Sequence, residues 1–326
     1  VFGNNDLPGS MLCSAVSTYI NRYAVVPGEK LAVMTTNDSG YQTALDWHEA
    51  GRTVSAVVDT RVNADSELIQ RVIKAGIRVI KGAAIIEATG SKRVTGVRIN
   101  KLDATGKKVE GSSETLQVDT VATSGGYSPA VHLSCHTGSR PVWNEEVIGF
   151  VPGETKQKQL IAGAINGNFT TKGAMQEGIE AGNKAIQELG LSAVDVTLPT
   201  TDDVSVAKPM ALFHIPHPKK TSKAPKQFVD YQNDVTAAGI QLAAREGFES
   251  IEHVKRYTAL GFGTDQGKLG NINGMAITAQ TLGKTIPETG TTVFRPNYTP
   301  VTFGAIAGMH CKSLFDPKRY TAMHSW

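Results

Sequence analysis

Apolar positions along the chain follow two rhythms. Leu31-Ala32-Val33-Met34 and Val54-Ser55-Ala56-Val57-Val58 are dense in Val and Ala without strict alternation, the pattern of parallel strands covered on both faces. Between them Tyr41 to Ala50 reads as a helix stopped by Gly51, so residues 30–61 are expected to form a βαβ unit. A helix over Ser66 to Ala75, a strand over Ile77 to Lys81 and a hairpin-like pairing of Arg93–Ile99 with Leu116–Thr123 extend it, up to Gly125-Gly126-Tyr127-Ser128-Pro129. Residues 160–167, Leu-Ile-Ala-Gly-Ala-Ile-Asn-Gly, read as another buried strand breaking into a glycine-rich turn. A helix from about Lys172 to Leu189 follows, its Ala174, Gly178, Ala181, Gly182 and Ala185 permitting close packing.

The character changes at 191–226, where Thr, Asp, Pro and Lys replace periodic apolar positions; a linker, or a loop lying across a partner, is expected. Helical periodicity resumes at Ala237. Ala238 to Gly247 and Ser250 to Leu260 are read as short amphipathic helices of a small domain punctuated by Gly261, Gly263, Gly267, Gly270 and Gly274. No internal repeat is visible.

Composition narrows the function classes. A length of 326 residues suits roughly two domains. Lys+Arg 33 against Asp+Glu 30 leaves a charge of +3 with no long run of either sign, which argues against nucleic acid and for a small ligand. The cysteines, Cys13, Cys135 and Cys311, are too far apart for a disulfide framework or a metal motif, so a reducing, cytosolic setting is expected. No apolar run approaches the ~18 residues of a membrane span, and a soluble protein is expected. Val1-Phe2-Gly3-Asn4-Asn5-Asp6 resembles a strand leaving into a turn and no start methionine is present, so both ends read as cut.

Two turns are candidate nucleotide sites. The loop after the first strand, Thr35-Thr36-Asn37-Asp38-Ser39-Gly40, keeps only Gly40 of a G-x-G-x-x-G pattern, and Asp38 would set an anion beside a pyrophosphate. This loop is expected to bind no nucleotide, although Asp59, about 20 residues on, stands where a ribose-binding acid would. The second turn, Gly163-Ala164-Ile165-Asn166-Gly167-Asn168-Phe169-Thr170-Thr171, offers backbone N–H groups at a helix start. A plain strand-to-helix turn is the competing reading. It resembles the closing strand and helix of the large domain in two-dinucleotide flavoproteins.

A more specific likeness lies in Phe2-Gly3-Asn4-Asn5-Asp6-Leu7-Pro8-Gly9, in Phe228-Val229-Asp230-Tyr231-Gln232-Asn233-Asp234-Val235-Thr236, in the run from Arg245 to Thr258, and in Phe294-Arg295-Pro296-Asn297-Tyr298-Thr299-Pro300-Val301-Thr302-Phe303-Gly304. These resemble the alpha subunit of heterotetrameric sarcosine oxidase along the whole chain. The resemblance implies an α/β fold of the two-dinucleotide-binding flavoprotein (FAD/NAD(P)-binding, Rossmann-like) type. Residues 1–28 and 128–190 would belong to a large NAD-binding domain interrupted by an inserted Rossmann-like domain at 29–127. A linker at 191–226, a small helical domain at 227–290 and a connection at 291–326 into a folate-binding aminomethyltransferase-like domain, starting near Leu314, would complete the chain. Related amine-dehydrogenase and opine-oxidase alpha subunits carry C-x-C and C-x₄-C in the helical domain, where this sequence has Asp230, Gln232, Asp265 and Gly270. Without thiolates a [2Fe-2S] cluster has no ligands, and no iron–sulfur cluster is expected.

The resemblance further implies beta, gamma and delta subunits as partners and oxidative demethylation of sarcosine, a small amine. Electrons would pass from FAD through FMN, shared with the beta subunit, to oxygen, and the one-carbon unit to tetrahydrofolate. An alpha subunit of a related amine or opine dehydrogenase, a free reductase and a non-catalytic scaffold are the rival readings. NAD contacts are expected at Gly163, Ala164, Asn166, Gly167, Phe169 and Thr171. Lys255, Arg256, Thr258, Gln266 and Lys268 are candidates for a cationic, glycine-lined surface facing FMN, against a solvated helix face. No catalytic acid, base or nucleophile is assigned. His214 and His217 are separated by Pro216, which forbids the shared helical face of a metal pair. His132 and His136 flank Cys135 without an identifiable orienting group, and Trp143 with Pro141 suggests an exposed turn.

Overall fold

A computed structural model describes residues 1–203, 205–295, 299, 301–310 and 319–326; Cys311, Leu314 and part of the 294–304 motif lie outside them. The expected βαβ unit is present: β2 (Lys30–Thr35) and β3 (Thr53–Asp59), in chain order after β1 (Ser10–Leu12) and α1 (Cys13–Tyr23), flank α2 (Ser39–Glu49) and pair in parallel. The helix α3 (Glu67–Lys74) starts on Ser66, whose side chain accepts the Ile69 N–H, and leads into β4 (Val79–Lys81). Alternate residues of β2 face opposite ways, as a strand's period of two requires. Leu31 and Val33 pack with Tyr41, Trp47, Ile69 and Val72 on the helical side. Ala32 and Met34 pack on the other side against β5 (Ala83–Thr89) and β6 (Gly96–Leu102), which form an antiparallel sheet with β7 (Val109–Leu116).

Residues 116–123 depart from the expected hairpin. Leu116 ends the pairing with β6, opposite Val97, while β8 (Thr120–Ser124) enters the parallel sheet, giving the order β1-β8-β2-β3-β4. The switch is made at Asp119, whose carboxylate accepts the N–H groups of Glu29 and Lys30 at 3.0–3.1 Å and so brings β8 alongside β2. Because β1 pairs with β8, and Cys13 and Val16 of α1 sit in the same core as Leu31, the expected division at 28/29 falls inside this unit.

A short helix α4 (His132–His136) precedes a two-stranded hairpin of β9 (Val142–Asn144) and β10 (Gly149–Val151). Trp143 is therefore no exposed turn residue; its ring meets Phe150 edge-on at 5.2 Å and both reach the helical core. Residues 160–162 are not a strand. Apolar sequence makes a strand only where a neighbour satisfies its N–H and C=O groups, and no described strand pairs with them; a 3-10 turn at Gly163–Asn166 takes their place, leading into α5 (Thr171–Glu188). None of the α5 residues is buried.

The segment expected as a linker lies across the chain itself. Met210 N–H donates to the Thr36 carbonyl at 2.9 Å, Ile215 is 2% exposed within the β5–β7 core, and Ile215 N–H donates to the Val1 carbonyl. Beyond it, β11 (Phe228–Asp230) and β12 (Val235–Thr236) lead into α6 (Ala237–Arg245), α7 (Ile251–Thr258) and α8 (Asn271–Leu282), packed around Ile240, Ile251, Val254, Leu260 and Ile277. The side chain of Thr236 caps α6 by accepting the Gly239 N–H. Among the described residues no helix is long and apolar enough to cross a membrane.

Candidate functional site

The crevice at the carboxyl end of β2 is where a parallel α/β sheet would hold a dinucleotide. Here it is closed by charge. Arg61, just past β3, donates from Nε to Asp59 at 3.0 Å and from one terminal nitrogen to Asp38 and Asp59, each at 2.8 Å. Its other terminal nitrogen donates to the carbonyls of Ala207 and Lys208 at 3.3 Å. The side chains of Arg61, Asp38 and Asp59 are 6%, 3% and 0% exposed. Burial opposes the Arg61 charge, but the two aspartates outweigh it and hold the guanidinium above its ordinary range. Tyr41 donates its hydroxyl to Asp59 at 2.8 Å, and burial followed by the Asp59 charge pushes that phenol well up. Asp59 thus has no ribose to meet: both its oxygens are taken from within the chain, and Ala207 N–H donates to Asp38 at 2.8 Å over the top. That the loop at 35–40 would bind no nucleotide was expected from its missing glycines and from Asp38; Arg61, which pairs with that aspartate, was not foreseen.

The second turn is open. Ala164, Phe169 and Thr171 border a depression of about 470 Å³ shared with Asn168, Thr170, Ala174 and Met175. Gly163 and Gly167 have φ of +78° and +87°. A Cβ on Gly167 would stand 2.6 Å from Val147, so glycine is needed there for conformation and for space. Glu177, in the second turn of α5, accepts the Gly163 N–H at 2.7 Å and closes the loop. Ala164, Asn166, Phe169 and Thr171 are exposed around it. The first amides of α5 are occupied by the chain: Asp203 accepts the N–H of Thr171 at 2.9 Å and of Lys172 at 2.7 Å. Those amide bonds hold its carboxyl below the usual range. A carboxylate therefore sits where a ligand's phosphate would, at the positive end of a helix.

The third location lies between the two halves of the chain. Ser128 to His132, Pro141 and Phe150 on one side, and Gly267, Lys268, Asn271, Ile272 and Met275 on the other, enclose a cavity of about 120 Å³. Of the residues singled out in 255–268, Lys268 lines it; the ammonium of Lys255 stands 6.0 Å over the Phe262 ring, and its pKa is lowered by burial and by the Arg295 and Arg256 charges, against the pull of Glu252. Arg256 folds back on its own helix to Glu252, and Thr258 donates its hydroxyl to the Val254 carbonyl. Gln266 makes a two-way pairing with the Arg295 backbone. The opposite wall holds His132, read from the sequence only as a neighbour of Cys135. His132 is buried, lies against Phe294 with centroids 3.7 Å apart and the rings tilted by 36°, and is held down to about 4 by burial and then by the Lys268 and His136 charges. Burial raises the Cys135 thiol beside it, which suits a packed side chain and not a nucleophile.

The four positions compared with cluster ligands are bound up in hydrogen bonds. Asp230, 6% exposed, accepts the N–H groups of Gln232, Asn233 and Gly261 at 2.9, 3.1 and 2.7 Å. Asp265 accepts the Gly267 N–H, and a Cβ at Gly270 would stand 2.7 Å from the Val229 carbonyl. His214 and His217 turn to different partners, Gln227 at 2.7 Å and Glu87 at 3.2 Å, so they form no metal pair.

Residues 224–309, which hold the helical unit and the segment after it, match the sarcosine oxidase A3 domain. Over the whole chain, identity is 38% with sarcosine oxidase subunit alpha of Rhizobium meliloti (strain 1021) and 36% with that of Corynebacterium sp. (strain P-1). The chain is a relative of the sarcosine oxidase alpha subunits. It spans about a third of their length, 31% and 34% respectively. The α/β fold is shared with a crystal structure of L-proline dehydrogenase from P. horikoshii, at a TM-score of 0.57 and 18% identity, covering 94% of this chain and 56% of that one.

Proposed function

We propose that this chain is a cofactor-supporting part of an enzyme that oxidises sarcosine, built on a two-dinucleotide flavoprotein plan, and that its own residues orient cofactors without acting on the amine. The observation that carries the reading is the cavity between the 128–132 loop and the helices matched to the A3 domain. Lys268 and Phe294 line it, and Lys255, whose ammonium stands 6.0 Å over the Phe262 ring, feels the charge of Arg295, the residue after Phe294. Cations suit a phosphate and aromatic faces suit a flat ring, so this wall fits the edge of an FMN shared with a beta subunit. FMN, when bound, supplies electron transfer that side chains do not. The chain's part is to hold charge opposite the phosphate and to keep His132 neutral under the ring of Phe294.

A surface for NAD is proposed at Gly163, Ala164, Asn166, Gly167, Phe169 and Thr171, fitting a diphosphate once Asp203 has moved off the α5 amides. Asp230, Gln232, Asp265 and Gly270 offer no soft sulfur donor, which supports a helical unit that works without an iron–sulfur cluster. In the assembled enzyme FAD, tetrahydrofolate, gamma and delta subunits, oxygen as acceptor, and hydrogen peroxide, glycine and formaldehyde or methylenetetrahydrofolate as products belong to the same proposal, as does a cytoplasmic location. The test is the assembled enzyme carrying Lys255→Ala and Lys268→Ala. FMN content and the flavin spectrum are expected to fall and shift; both unchanged would sink the FMN reading. Iron and acid-labile sulfide analysis of the same preparation is expected to give no stoichiometric iron.

A further inference from the structure

The cavity between the 128–132 loop and α8 has in its wall a buried amide that is only half used. Asn271, 3% exposed, donates from Nδ2 to the Gln266 carbonyl at 3.0 Å and to the Thr292 hydroxyl at 3.2 Å. Those two bonds fix which end of the amide is the oxygen, and Oδ1 accepts no hydrogen bond among the described residues. A buried acceptor left empty is costly, so a folded chain keeps one where a ligand or water comes to meet it. Two glycines hold side chains away from that oxygen. A Cβ at Gly267 would stand 2.0 Å from Oδ1 and one at Gly261 2.3 Å, and both glycines have positive φ, +73° and +69°.

Thr292, 2% exposed, receives the Nδ2 bond, and its own hydroxyl proton has no acceptor among the described residues. An unused acceptor and an unused donor therefore stand side by side, the complement of an N–H next to a carbonyl. Asn271, Thr292, Gly267 and Lys268 all line the cavity, and among the described residues no Asp or Glu does. The Lys268 charge is felt at His132 in the opposite wall. We infer that this cavity reads the imide edge of a flavin: Asn271 Oδ1 accepts the ring N3–H, the Thr292 hydroxyl donates to the C4 carbonyl beside it, and the Lys268 ammonium faces the side of N1 and the C2 carbonyl. This assignment of the edge rests on the FMN reading of the cavity. The volume of about 120 Å³ is below the roughly 300–1,000 Å³ that engulfs a whole small ligand, so one ring enters and the rest of the flavin stays outside. Lys268 then serves the ring, and Lys255 remains for the phosphate. When FMN takes up two electrons, and one proton at N5, negative charge collects over N1 and the C2 carbonyl; a fixed ammonium at that edge favours the reduced form.

The experiment uses the assembled enzyme with Asn271→Leu, Thr292→Val or Lys268→Met, each read by FMN content, the visible flavin spectrum and a dithionite titration of the FMN potential. Lys268→Met is expected to weaken the preference for reduced over oxidised FMN about tenfold, which lowers the midpoint by about 30 mV for a two-electron couple. Thr292→Val and Asn271→Leu are expected to shift the flavin absorption bands and to lower FMN content. A midpoint unchanged in Lys268→Met overturns the assignment, whether or not the two buried variants fold; so do unchanged bands in folded Thr292→Val and Asn271→Leu proteins. If Lys255→Ala still disturbs the FMN in that case, the cofactor lies here and only its edge is misassigned. If no variant, Lys255→Ala included, moves FMN content or spectrum, the FMN reading fails as well.

Discussion

Replacing Arg61 by Ala tests the account of the closed crevice most directly. The guanidinium donates from each of its three nitrogens, to Asp59, Asp38 and the Ala207 and Lys208 carbonyls. Its removal strands two carboxylates that are 3% and 0% exposed. Exposed ion pairs contribute at most about 1 kcal/mol, but breaking a buried one by removing one partner costs roughly 3–5 kcal/mol because the remaining charge has no solvent. Two stranded carboxylates and a loosened segment at 207–208 place the loss toward the upper part of that range. For a unit of this size that corresponds to a Tm lower by roughly 6–20 °C. Guanidinium chloride unfolding followed by the fluorescence of Trp47, fully buried where α2 packs on the parallel sheet, with its indole N–H donating to the Thr53 carbonyl, reports on this unit. A loss below about 1 kcal/mol would mean that water reaches the aspartates and that the crevice is open.

Asp230→Ala should cost about 2–3 kcal/mol, since three backbone amides lose a charged acceptor in a buried site; faster hydrogen exchange at Gly261 with an intact α6 would localise the effect, and unchanged exchange would refute it. His132, held down to about 4 in the folded chain against an ordinary 6.5, binds its proton more readily when unfolded. Its contribution to stability is therefore present above pH 6.5 and lost as pH falls toward 4, and its ring resonances should stay flat in an NMR titration from pH 8 to about 5. The Cys13 thiol, 2% exposed and pushed up to about 12 by burial, should escape alkylation at pH 8 in the native chain and react on unfolding, as read by peptide mass mapping; alkylation of the native chain would show that α1 does not seal the sheet as described.

Helical and parallel-strand segments were legible because their signals are local. The unbroken Val and Ala runs of β2 and β3, the glycine after α2, and the serine before α3 each act within a few residues, and the structure places these elements within a residue or two of expectation. The crowding at 35–40 was half legible: the missing glycines and Asp38 argued against a nucleotide, but nothing in the spacing revealed Arg61 as the counter-ion. The apolar run at 160–162 misled, because an apolar tripeptide carries no record of whether a neighbouring strand is there to pair with it. Thr258 and Arg256, chosen as companions of Lys255, satisfy themselves on their own helix, an outcome that i to i+4 spacing allows but does not announce.

By itself, then, the order of residues determined where most helices and parallel strands lie, and which faces of β2 carry apolar side chains. Tertiary structure alone decided that Asp119 would turn β8 into the sheet, that residues 207–210 would lie over the first crevice and that Asp203 would reach the second. Each of those is a contact between residues 31 to 174 positions apart. Propensity and periodicity describe the energy of a residue beside its chain neighbours, whereas a carboxylate 2.7 Å from an amide owes its partner to the packing of whole elements, which no local window contains.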